Sequence, residues 1–123
     1  MKIGDTFFNL HPSSPRYLWI VTAGPTTEDE LLIFNFTSAT DGCDESCVVL
    51  PGEHPHVHHR TIVAYRRGSL ARRSILTSPR SLCSVQQPVS AGLLRRIQQG
   101  ALDSQFTKQR FQAIVRQFLL PPT

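Results

Sequence analysis

The sequence predicts an α+β domain, a small and partly closed antiparallel β-barrel followed by two C-terminal helices. Three observations carry that expectation. The first two thirds of the 123 residues break into short β-branched and aromatic runs separated by Pro- and Gly-bearing turns. The last third changes period, with apolar residues recurring at helical spacing. Strands first and helices after them favour helices packed on one side or end of a small antiparallel sheet, and five or six short strands with frequent turns favour a barrel.

The elements follow in order. Lys2 to Phe8 reads as extended, with a turn or bulge at Gly4-Asp5. His11 to Pro15 is a loop by composition. Tyr17 to Thr22 and Leu31 to Thr37 are strong strands, joined as a hairpin across Gly24-Pro25 and the solvated tip Glu28-Asp29-Glu30. Asp41-Gly42 signals another turn, and Cys47 to Leu50 is a short strand that stops at Pro51-Gly52. Thr61 to Tyr65 is the next strand, and Ser69 to Ile75 offers one more. Ser90 then caps a helix carrying Leu93, Leu94, Ile97 and Ala101, whose end Gly100 weakens. Asp103 or Ser104 caps a second helix, with an apolar stripe of Phe111, Ile114, Val115, Phe118 and Leu119, and Pro121-Pro122 ends it. A barrel core over 1–80 and helices over 88–120 make one domain spanning 1–123.

Composition narrows the function. Residues 1–53 carry two basic and eight acidic groups, whereas 54–123 carry eleven basic groups and Asp103 alone as an acid, so −6 is followed by +10. Arg66, Arg67, Arg72, Arg73 and Arg80 form a dense patch, and guanidinium forks match phosphate geometry. That patch suits nucleic acid or an acidic protein, or else is a solvated basic face. No apolar run approaches the roughly 20 residues that span a bilayer, and no apolar segment precedes a cleavage site, so the expectation is a cytoplasmic protein whose three cysteines stay reduced. Glycine-rich phosphate loops and a GxSxG elbow are missing from the sequence, and no cofactor is expected.

Four of the five histidines, His54, His56, His58 and His59, fall in one six-residue window. Imidazole is the only side chain whose ordinary pKa lies near neutral pH, so the window is where acid–base chemistry is sought. If Thr61 to Tyr65 is a strand, His59, Thr61, Val63 and Tyr65 share one side of it. An imidazole, a hydroxyl and a phenol in a row can hold a phosphate and move a proton. His54 can fold back over the same end, which makes His54, His59, Thr61 and Tyr65 the candidate catalytic set. Arg60, Arg66, Arg67, Arg72 and Arg73 are the candidate nucleic-acid contacts. The bland alternative is that the histidines cap turns and bond backbone, and it weighs most on His56 and His58. A third reading is a structural zinc site built from Cys43, Cys47 and His54 with a further histidine.

The stretch Val48-Val49-Leu50-Pro51-Gly52-Glu53-His54-Pro55-His56-Val57-His58-His59-Arg60-Thr61-Ile62-Val63-Ala64-Tyr65 resembles the GDHPFI-x-H-x-S-x-V-x-Y signature of small phage- and mobile-element-associated proteins similar to the PemK/MazF growth-inhibitor toxins. The likeness falls on Gly52, His54, Pro55, Val57, His59, Thr61, Val63 and Tyr65. Gly4-Asp5 followed by Arg16 to Val21 is similar to the opening strands of that family, and Ile97 to Ser104 to its helical tail. The resemblance implies an SH3-like barrel, a homodimer, cleavage of single-stranded RNA without metal, and an antitoxin protein as partner. That family's catalytic Arg and Ser/Thr pair has no clear counterpart here, Arg60–Thr61 being a candidate stand-in. Beside this toxin-like endoribonuclease stand two alternatives, a non-catalytic module for nucleic acid or an acidic protein, and a small zinc-stabilised domain.

Overall fold

The computed structural model describes residues 1–121, so Pro122 of the expected C-terminal stop lies outside the described residues. Six strands form one antiparallel sheet: β1 (Thr6–Asn9), β2 (Leu18–Ala23), β3 (Glu30–Ser38), β4 (Val48–Val49), β5 (Thr61–Arg72) and β6 (Cys83–Gln86). Their spatial order is β4-β5-β3-β2-β1-β6, and the sheet curls into a half-barrel with β4 and β6 as its edges. Three helices accompany it: a single turn α1 (Arg73–Leu76), then α2 (Ala91–Asp103) and α3 (Gln109–Phe118). No helix among the described residues is long and apolar enough to cross a membrane.

The central strands are apolar on both sides because both faces of the sheet are covered. Leu18, Ile20, Leu32, Phe34 and Phe36 point into the curl and pack with Leu93, Leu94 and Ile97 of α2 and Phe111 and Val115 of α3. Phe7, Val21, Leu31 and Ile33 point the other way, under Met1, Trp19, Leu76 and Cys83. Burial on two faces gives nearly continuous apolar runs in place of the in–out alternation of a half-buried strand.

Several elements differ from the sequence expectation. The two strands expected around residues 61–65 and 69–75 are one bent strand. Asn35 pairs with Ala64 and Ile33 with Ser69, so residues 65–68 bulge opposite Phe34 alone. Gly68 sits at the bend because a Cβ there would lie 2.4 Å from the Phe34 ring. The strand stops at Arg72, and the chain turns into α1 where Arg73 bonds back to Asp29 through both its backbone N–H and its guanidinium. Strand β6, over a segment to which the sequence pattern assigns no element, forms because it completes the free edge of β1, with Thr6 opposite Gln86. Ser90 does cap α2, its hydroxyl accepting from Leu93 N–H at 3.1 Å. Ser104 closes α2 rather than opening α3: its N–H bonds Gly100 O, its Oγ accepts from Phe106 N–H, and α3 starts five residues later.

One buried polar side chain ties the C-terminus to the sheet. Gln98, with no exposed surface, donates to Thr22 O (3.1 Å) and Phe118 O (2.9 Å) and accepts from Leu120 N–H (2.9 Å). A leucine there strands three backbone groups away from water, and each such group costs about 1–3 kcal/mol when it stays buried. We expect Gln98→Leu to lower unfolding free energy by about 2 kcal/mol by urea denaturation, with proteolysis after residue 118 accelerated.

Candidate functional site

The histidine window is a loop pinned between β4 and β5. Glu53 accepts from Leu50 N–H (2.8 Å) and from the Arg96 guanidinium of α2, which also donates to Val48 O (2.7 Å). Val57 is the apolar plug that holds the far side in the core. Between them lies His54, only 2 % exposed. Its Nε2 faces Gln87 O at 2.6 Å, and its Nδ1 accepts from His56 N–H at 3.2 Å. A carbonyl only accepts and a backbone N–H only donates, so His54 is the neutral Nε2–H tautomer. Thr6 Oγ1 donates to the same carbonyl at 2.7 Å. His54 therefore clips the loop to the segment after β6.

Burial holds the His54 imidazole below its ordinary value, assisted by the neighbouring His56 and opposed by the Gln87 carbonyl. A histidine whose folded value is depressed favours folding while it is neutral. Its contribution is full above about pH 6.5 and is lost as pH falls from there through the folded value. The urea midpoint is expected to drop between about pH 7.5 and pH 5, with a shallower drop in His54→Asn. Equal slopes in the two proteins would contradict the neutral clip.

The loop's outer histidines look into an open cleft of about 280 Å³ at the mouth of the half-barrel. Its walls are Phe8 from β1, Arg16, Tyr17 and Leu18 at the start of β2, Phe36, Thr37 and Ser38 at the end of β3, and His56, Val57, His59 and Thr61. His59 Nε2 lies 2.7 Å from Ser38 Oγ, and Thr61 Oγ1 donates to His59 O at 2.9 Å, which fixes the approach to β5. His56 stands edge-on to Phe8, ring centroids 4.9 Å apart, and its Nε2 meets Gln86 Oε1 at 2.9 Å. Arg67 leans over Tyr17 and donates to its hydroxyl at 2.8 Å, bringing a second guanidinium beside the cleft wall. The arrangement offers two exposed imidazoles, four hydroxyl-bearing side chains and the Arg16 guanidinium around one open space.

Only part of the sequence-derived set meets there. His59 and Thr61 line the cleft. His54 lies behind it as the clip. Thr61, Val63 and Tyr65 do share the inner side of β5, but by Tyr65 that side is core. The Tyr65 hydroxyl donates to Ile97 O at 2.6 Å, and desolvation raises its pKa far above that of a free phenol. It is thus not among the cleft's proton-transfer groups. Of the arginines, Arg60 pairs with Glu45 and Arg73 with Asp29. Arg66 stacks on Phe106 at 4.2 Å, along a separate groove with Cys43 and Asp44. Arg72 ends β5 as its last residue. Arg67 lines the same groove as Arg66 and touches the cleft wall through its bond to the Tyr17 hydroxyl.

The zinc reading finds no geometry. Among the described residues no three His, Cys, Asp or Glu side chains gather as a metal site, so Cys43, Cys47 and His54 stand apart. Cys47 is buried, and desolvation pushes its thiol up to about 11, which also removes it as a nucleophile near neutral pH.

Sequence reasoning overlooked Arg16, Ser38, Phe8 and the orientation of His56. The local signal was slight, an Arg-Tyr pair just before a strong strand. Four segments from distant parts of the chain build the cleft. No family model matches the chain, and no curated protein or solved structure matches it either. The class defined by the fold is a half-barrel with C-terminal helices, carrying a histidine- and arginine-lined cleft at its mouth.

Proposed function

We propose that this cleft takes a phosphodiester of single-stranded RNA and cleaves it by acid–base chemistry, in the manner of a toxin endoribonuclease. The supporting observation is that His56, His59, Ser38 and Arg16 line one open space. RNA brings its own nucleophile. One imidazole takes the 2′-hydroxyl proton, the 2′-oxygen bonds to phosphorus, the bond from phosphorus to the 5′-oxygen breaks, and the second imidazole as imidazolium protonates that leaving oxygen. The product ends are a 2′,3′-cyclic phosphate and a 5′-hydroxyl. Arg16 offsets the charge that builds on the phosphoryl oxygens. Phe8 and Tyr17 give bases a surface on which to stack, an arrangement suited to a single strand. The same cationic cleft suits an acidic segment of an antitoxin protein as a competing occupant.

The test is incubation of the purified protein with end-labelled single-stranded RNA in EDTA between about pH 5 and 8, the range in which imidazole titrates. Cleavage leaving cyclic phosphate ends is the expected result. Salt-sensitive binding without cleavage throughout that range overturns the enzymatic reading in favour of a binding module, because phosphate contacts release counterions. That alternative draws on Arg66 against Phe106 and Arg67 against Tyr17, two guanidinium–aromatic contacts of β5.

A further inference from the structure

We propose that Gln86 is a positioning residue that selects the tautomer of His56 and leaves His56 Nδ1 as the proton acceptor of the cleft. The inference rests on the nuclease reading for its consequence, but its geometry stands on hydrogen bonds alone.

Gln86 ends β6, next to the carbonyl that holds His54. Its amide nitrogen lies 3.1 Å from Ser84 O and 3.0 Å from Ser84 Oγ. A backbone carbonyl can only accept, so the group turned toward it must be the NH₂. The amide oxygen is then fixed on the opposite side, where it meets His56 Nε2 at 2.9 Å. An amide oxygen also only accepts, so Nε2 must carry the proton. In the neutral ring this leaves the lone pair on Nδ1. The chain Ser84–Gln86–His56 thus sets a proton position through two steps, each decided by a group with a single hydrogen-bonding role. Phe8 against the ring edge and the His54–His56 backbone bond restrict the remaining freedom of the imidazole.

This is the logic of an oriented general base, in which a third group fixes the base before substrate arrives. When Nδ1 accepts the 2′-hydroxyl proton, His56 becomes an imidazolium, and the Gln86 oxygen goes on accepting from Nε2–H with no rearrangement. The proton then leaves to solvent. The other titratable or charged groups around the ring are His54 on the same loop, with ring centroids 5.7 Å apart, and Arg16, Tyr17 and His59 across the cleft. None of them lies on β6, so a charge placed at position 86 reports on His56 directly.

The experiment reads the ring nitrogens of His56 by ¹⁵N NMR in the full-length protein, alongside RNA cleavage. Wild type is expected to show the Nε2–H tautomer as the dominant neutral form. Gln86→Leu, which removes the acceptor, is expected to give a mixture of tautomers and to lower cleavage about ten-fold without changing the fold. Gln86→Glu keeps an acceptor toward Nε2 and adds a negative charge; it should retain the tautomer and raise the His56 titration midpoint by about one pH unit. The acid limb of the pH–rate profile should move with it. An unchanged tautomer in Gln86→Leu, or an unmoved midpoint in Gln86→Glu, overturns the assignment. If the ring signals respond as expected while no RNA is cut by any variant, the positioning role holds and the nuclease reading fails.

Discussion

His59→Ala is expected to slow the proposed RNA cleavage by about 10²- to 10⁴-fold, the range that one positioned general acid or base contributes. The fold should not respond. His59 is exposed, and its side-chain bond is to Ser38, itself exposed. Surface substitutions of that kind change stability by less than about 0.5 kcal/mol. His56→Ala should have an effect of similar size, and the double variant should fall well short of the product of the two, because residues that act as a unit are not additive. His58→Ala is the control. It sits between the two in sequence but does not line the cleft, so cleavage should match wild type. Single-turnover rates on a labelled oligonucleotide, with circular dichroism beside them, make the comparison. Full activity in His59→Ala would remove the chemistry from this cleft.

Gly100→Ala is expected to cost about 3 kcal/mol, at the upper end of what overpacking a tight contact does. Alanine is ordinarily the better helix former by about 1 kcal/mol, so in an exposed helix the change would stabilise. Here the sign reverses. A Cβ at position 100 would lie 2.3 Å from the Tyr65 hydroxyl and 2.9 Å from both Cys47 Cβ and Ser46 O. Tyr65 cannot retreat, because its ring packs on Phe34 with centroids 5.1 Å apart and its hydroxyl is bonded to Ile97 O. Either α2 lifts from β5 or that bond breaks. A second variant identifies the contact. Tyr65→Phe alone loses one buried hydrogen bond, about 1 kcal/mol, but it should absorb much of the Gly100→Ala penalty when the two are combined. Thermal and urea unfolding of the four proteins gives the coupling directly. Additive losses would place the clash elsewhere.

The same contact explains a limit of sequence reasoning. Gly100 reads from the chain as a weak point near the end of a helix; it does lie in the last turn of α2, but buried, where only a residue without a side chain lets α2 approach β5. The inward alternation of Thr61, Val63 and Tyr65 was legible, since side chains along a strand alternate sides. How deep each would lie was not, because depth depends on where α2 crosses. It crosses over Tyr65, while Thr61, also buried, lies at the floor of the cleft.

Charge followed a similar course. The acidic first half and basic second half invite a picture of one cationic face. In the folded chain Arg60, Arg73 and Arg96 pair with Glu45, Asp29 and Glu53, so the basic half partly neutralises the acidic one. Arg16, in the acidic half, supplies the cleft's guanidinium.

By itself the sequence determined the strand-rich first two thirds and the two C-terminal helices, the Ser90 cap, the apolar stripe of the last helix and the clustering of imidazoles in one loop. These are short-range properties, set by periodicity, turn residues and neighbours along the chain. Tertiary structure decided which imidazole became a buried clip and which two faced solvent, that Tyr65 belongs to the core, and that Arg16, Ser38 and Gln86 stand beside the histidines. Those outcomes depend on the curl of the sheet and the path of α2 across it, which bring together groups up to 70 residues apart in sequence, from Arg16 to Gln86. No local pattern encodes such distances.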